Sequence, residues 1–238
     1  MALSPFTETD IIAQVYSQYE NDNSTWDATS AEYLTSRNYT KAAILRWEFL
    51  EGVRWGELVQ KLSAAADGTK TLTAATYTYG CPTDMRLPPQ TTDNEMVYVR
   101  TLDSSGNSIL WQVVPVVQIS QLDGSTTRFC YFTGNQKVGF NLNLNPNINL
   151  TTGDTISYEY LKRATYLTTI TSSTEMSNPM YIVHYCLHRL YKNDGQLSEA
   201  SEELQIAESL LQEMKAEGTY IFETASFGFG TASFGFGT

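Results

Sequence analysis

The chain has 238 residues, 42% of them hydrophobic and 12% aromatic, enough for one sizeable core or two small ones and unlike a disordered composition. Its 26 acidic and 15 basic residues give a net charge of -11, which argues against gripping a phosphate backbone, because counterion release needs clustered Lys and Arg. Cys81, Cys130 and Cys186 lie far apart and leave an odd count, so no CxxC metal site and no disulfide framework is expected, and each reads as a small buried hydrophobe.

The first residues lack the basic segment and apolar run of a secretory signal. Thr7 or Thr9 can cap a first helix whose Ile12, Val15, Tyr16 and Tyr19 fall at helical spacing, and the polar run Glu20 to Thr25 ends it. A second helix is expected from Asn38, carrying Ala43, Trp47, Phe49 and Leu50. It continues through Trp55, Leu58 and Leu62 unless Gly52 or Gly56 breaks it. At this spacing Trp47, Phe49 and Trp55 read as core rather than as a binding face.

From Lys70 the texture changes to short β-branched or aromatic runs: Thr71 to Thr73, Tyr77 to Tyr79, Val97 to Val99 and Phe129 to Phe132. Asp103 to Asn107 and Asp123 to Ser125 have the composition of hairpin loops, so residues 70–163 are expected to form an antiparallel β insertion. The window Ile109 to Ile119 is too short, and too interrupted by Gln112, Pro115 and Gln118, to span a bilayer. Phe140 to Leu150 alternates apolar residues with asparagines, and Pro146 makes it an edge strand or extended loop. Ile156, Tyr158 and Tyr160 alternate in a final strand.

Asn178-Pro179 starts a third helix and Asn193-Asp194-Gly195 stops it. Ser198 can cap the last, whose stripe Leu197, Ala200, Leu204, Ala207, Leu211 and Met214 should pack on the third helix, with Gly218 as its end. The expected organisation is α+β. Residues 1–69 and 164–217 form a helical bundle around the β insertion, and residues 218–238 form an extended tail. In that tail Thr224 to Gly230 is repeated without change as Thr231 to Gly237. Extended, Phe227 and Phe229 share one face, as do Phe234 and Phe236, which suits strand addition with aromatic anchors; by composition alone the tail is too poor in apolar area to order without a partner.

No pattern nominates a catalyst. His184 and His188 sit four apart on a helix but lack the further ligands zinc needs and the glutamate of a metalloprotease motif. Phosphate loops and a GxSxG elbow are absent, and no pair of carboxylates is singled out. Neither an enzyme nor a cofactor or metal is expected.

The order of features resembles the head-to-tail adaptor, or connector, proteins of tailed bacteriophages, found beneath the portal of short-tailed phages. The likeness runs from Leu45-Arg46-Trp47-Glu48-Phe49-Leu50 through Leu72 to Tyr77 and Tyr79-Gly80-Cys81-Pro82-Thr83-Asp84. It resumes at Ile156 to Tyr160 and Asn178-Pro179, and ends with Ser198 to Met214. Cys81 stands where that family usually has leucine, and the duplicated Phe-Gly heptapeptide has no counterpart in the family pattern. The resemblance implies a structural virion protein at the head-tail junction. It would form a homo-oligomeric ring, typically of twelve copies, docked on the portal protein and continued below by a tail or nozzle protein. DNA would pass through the lumen without sequence-specific binding during genome ejection, and assembly would take place in the host cytoplasm. By analogy with the family's C-terminal segments, Tyr220, Phe222, Phe227, Phe229, Phe234 and Phe236 are candidate portal contacts. The alternative is another tail component, a tail-completion or glycan-binding subunit using the Thr- and Asn-rich β insertion.

Overall fold

A computed structural model describes residues 6–22, 24–51, 53–62, 78–89, 97–102, 107–121, 127–134, 137–141 and 155–226, with backbone only at 102, 120, 121, 155 and 218–226. The fold is α+β. Its described residues hold four helices and eight strands in two units, Met1–Leu58 with Ala164–Thr238, and Val59–Arg163.

In the helical unit, α1 (Glu8–Glu20) opens with a capping box, the Thr7 hydroxyl accepting from the Asp10 N–H and the Asp10 carboxylate accepting from the Thr7 N–H at 2.9 Å. The Glu8 N–H donates to the Ser172 carbonyl at 2.8 Å, and the Thr9 hydroxyl to the Ile170 carbonyl at 2.9 Å, so donors of the first turn tie α1 to a distant segment. The helix ends at Asn21, whose φ of 55° is left-handed, a conformation its short polar side chain tolerates.

The second helix, α2 (Ala31–Glu48), starts earlier than Asn38, at Ser30, whose hydroxyl accepts from the Tyr33 N–H at 3.1 Å. Its inner face is Tyr33, Ser36, Thr40, Ala43, Ile44 and Trp47, spaced one, three or four apart. The helix stops at Phe49 instead of continuing to Leu62. Trp55 lies in the connection, followed by a 3-10 turn at Gly56–Leu58, and Leu62 lies in a strand. The Trp55 indole stacks on Trp47 with centroids 5.1 Å apart and donates to the Trp47 carbonyl at 2.6 Å, so these two are core; Phe49, with 61% of its surface exposed, is not.

A carboxylate, Glu8, is fully buried between α1 and α2. It accepts from the Tyr33 hydroxyl at 3.0 Å and from Arg37 Nε at 2.7 Å, and this contact holds the Arg37 guanidinium above its ordinary pKa. Burial, and then the Glu8 carboxylate, push the Tyr33 phenol up.

The N-cap of α3 (Met180–Asn193) is Pro179 rather than Asn178, which precedes it and whose carboxamide oxygen accepts from the Met180 N–H at 3.2 Å; Gly195 at φ 78° follows the helix end. The last helix, α4 (Leu197–Ser226), begins one residue ahead of Ser198, which therefore lies in its first turn rather than at its cap. Ala200, Ala207, Leu211 and Met214 of the expected stripe are buried and Leu204 is half-buried, while Leu197 is exposed. Gly218 does not end α4. A glycine within a helix costs only about 1 kcal/mol relative to alanine, and the backbone stays helical to Ser226, where an extended tail was expected from 218.

In the β unit the strands are β1 (Val59–Leu62), β2 (Thr78–Gly80), β3 (Met85–Leu87), β4 (Tyr98–Leu102), β5 (Ser108–Val113), β6 (Phe129–Thr133), β7 (Lys137–Phe140) and β8 (Thr155–Lys162). They form one sheet in the order β1-β8-β4-β5-β6-β7-β2, with β3 also paired to β8, so the β region starts at Val59, ahead of residue 70. The sheet is mixed rather than antiparallel: β5 and β6 run parallel, with Gln112 opposite Phe129 and Val113 opposite Cys130. Pro115 follows β5, and a 3-10 turn at Val116–Gln121 begins a crossover, which parallel neighbours require in place of a hairpin. Asp123 to Ser125 lie outside the described residues, but the strands they join are not hairpin partners. The 103–107 hairpin does form its antiparallel pair, Leu102 opposite Ser108.

Ile156, Tyr158 and Tyr160 of β8 point into a core with Val99, Trp111, Cys130, Val138 and Phe140. Trp111 meets Phe140 edge-on at 4.9 Å, and its indole N–H donates to the Thr101 hydroxyl at 3.0 Å. Thr71 to Thr73 and the alternation beyond Asn141, with Pro146, lie outside the described residues. All three cysteines are buried and free, and burial pushes the Cys130 and Cys186 thiols up.

Candidate functional site

Phe227, Phe229, Phe234 and Phe236 lie outside the described residues. Tyr220 and Phe222 fall on the last turns of α4, on helical backbone. At about 1.5 Å per residue, the 30 residues of α4 make a rod whose end, Thr224 to Ser226, already belongs to the first copy of the duplicated segment.

The rod is seated on α3 by polar contacts as well as by its apolar stripe. His184 Nδ1 lies 2.6 Å from Glu203 Oε2, and His188 Nδ1 lies 2.8 Å from the Ala200 carbonyl, so both histidines join the two antiparallel helices. Arg46 of α2 forms an ion pair with Glu208 and lies over the Tyr185 ring at 5.7 Å. Beneath them Tyr181 is buried, and that burial raises its phenol pKa. Among the described residues no three His, Cys, Asp or Glu side chains cluster so as to hold a metal, and no helix is long and apolar enough to cross a membrane.

Charge divides sharply between the units. Residues 59–163 contain eight basic and eight acidic residues, which leaves seven basic and eighteen acidic in the helical unit, so the whole net charge of -11 belongs to the latter. On α4 the exposed side chains include Glu199, Glu202, Glu213 and Glu217, with Ile206 among them at 42% exposure.

The outward face of the sheet is of another kind. Strand register sets Leu110, Arg100 and Ser157 in one row across β5, β4 and β8, and Lys61 of β1 opposite Glu159. With Tyr98 these residues line a groove of about 330 Å³. Tyr98 and Leu110 are 43% and 47% exposed. A smaller hollow of about 160 Å³ lies where the Tyr160 hydroxyl donates to Asp84 at 3.1 Å. None of these surface residues stands out in the sequence, because only strand register brings them together. The chain matches no family model and no curated protein.

Proposed function

We propose that this protein is a structural subunit of the adaptor ring of a tailed phage, docked on the portal and joined below to the tail or nozzle, with the genome passing through its lumen. The observation that carries the reading is α4. It is a thirty-residue helix locked at its base to α3 and running into a duplicated segment of paired phenylalanines, an arrangement suited to presenting anchors to a larger partner. The helical unit, built from both ends of the chain around an inserted sheet, agrees with the order of features that the resemblance rests on. Its surplus of carboxylates favours a channel over which DNA slides without sticking. Ring contacts would use binding energy rather than catalysis.

Co-assembly with the phage portal tests this. The full-length chain and a version ending at Ser226 are mixed with portal rings and the complexes weighed by native mass spectrometry. A ring of the full-length chain on the portal, with loss of docking in the shortened one, is the expected result. Docking by both removes the role of Phe227 to Phe236, and docking by neither removes the adaptor reading.

A further inference from the structure

We propose that the outward face of the β sheet of one copy receives the exposed face of α4 from a second copy, in a head-to-tail contact that repeats around the ring. This inference rests on the ring reading above. On the sheet side the groove carries Lys61, Arg100 and Glu159, a net positive charge, around the exposed Tyr98 and Leu110. On the helix side Glu202, Ile206 and Glu213 fall four and seven residues apart, on one face, with Glu217 continuing it. The apolar centre of each surface is thus flanked by a surplus of charge opposite in sign to that of the other, Lys61 and Arg100 against one Glu159 on the sheet and glutamates alone on that helix face.

The partition of charge selects the pairing. Two α4 faces repel each other, and the sheet face, on which Lys61 and Arg100 outnumber Glu159, attracts the acidic face of α4 more strongly than it attracts a second sheet face. Such a contact joins different surfaces on the two copies, so it can propagate from copy to copy, as a ring requires, and the mass of the assembly distinguishes that ring from a reciprocal pair.

A charge swap tests the contact. One variant carries Lys61→Glu and Arg100→Glu, the other Glu202→Lys and Glu213→Lys; all four positions are exposed, and thermal melts followed by circular dichroism check that both variants fold. Self-association is measured by analytical ultracentrifugation at low salt and, where the ring forms only on the portal, by the mass of the portal complex. Each variant alone should associate about tenfold more weakly than the native chain, and an equimolar mixture should recover, because each then meets a complementary face. Undiminished association of either variant, no recovery in the mixture, or a native chain that stays monomeric on and off the portal overturns the contact. The two readings fail separately. Native rings on the portal with no response to the swaps leave the adaptor standing without this contact, and a swap response with no portal docking leaves the contact standing without the adaptor.

Discussion

The two units are both closed by tryptophans, but they use different means to hold their elements in register. In the helical unit a carboxylate, Glu8, is fully buried against Arg37 and Tyr33, and a second, Glu48, accepts from the Tyr166 hydroxyl at 3.1 Å. Among the described residues of the β unit no carboxylate is buried; its core is a contiguous set of aromatic and aliphatic side chains around Trp111 and Phe140. Removing one partner of the Glu8–Arg37 ion pair leaves an uncompensated charge, whereas a close-packed apolar core responds to volume lost or added. The helical unit should therefore be sensitive to the loss of a charged partner, and the β unit to size.

The largest effect should come from the β core. Trp111→Ala removes the ring that meets Phe140 and should cost about 4 kcal/mol in urea denaturation, by the same amount from about pH 5 to pH 8. A cost that varied across that range would blur the contrast between the units. Next is Glu8→Ala, which strands Arg37 and Tyr33 and should cost about 3 kcal/mol. The double variant with Arg37→Ala should cost less than the two singles added, and simple additivity would mean the pair does not act as a unit.

Size alone should decide a third case. Gly139 of β7 lies directly opposite Tyr131 of β6, whose ring occupies the space a side chain at 139 would need. Gly139→Ala should cost about 2 kcal/mol, and Tyr131→Ala in the same chain should make the alanine harmless; a penalty that persists would place the clash elsewhere.

The smallest effect concerns the capping box, where Thr7→Ala should cost about 1 kcal/mol in thermal denaturation. There the Thr7 hydroxyl and N–H hold the Asp10 carboxyl below its ordinary value of 3.8. A depressed folded pKa contributes stability above the unfolded value, and that contribution is lost as pH falls through the folded one. The acid limb of the native chain should accordingly be steeper than that of Thr7→Ala, and identical limbs would remove the Asp10 contribution.

The sequence disclosed what depends on single residues or short spacings. Thr7, Asn178-Pro179 and Asn193-Asp194-Gly195 mark helix ends because caps and stops are local chemistry, and Ile156, Tyr158 and Tyr160 alternate because one face of their strand is buried. The start of α2 was hidden because part of its inner face is polar: Ser36 and Thr40 are fully buried there, so no apolar stripe appears before Ala43. The parallel pairing of β5 and β6 was hidden because two short strands separated by turn-forming residues look alike in either direction. The sheet face proposed as a docking surface was invisible for a related reason. Lys61, Arg100, Leu110 and Glu159 come from four strands, and only non-local register makes them neighbours.

The pairing of β1 with β8 also bears on the order of events during synthesis. The N–H of Glu8 waits for the carbonyl of Ser172, so α1 leaves the ribosome long before this partner exists, although Tyr33 and Arg37 of α2 follow soon after. Val59 lies opposite Leu161, so a β unit that folds as it emerges brings its own two ends to within a strand spacing. The long separation between Leu58 and Ala164 is then reduced to a short bridge before α3 appears, and most of the entropy of closing that loop has already been met by the sheet.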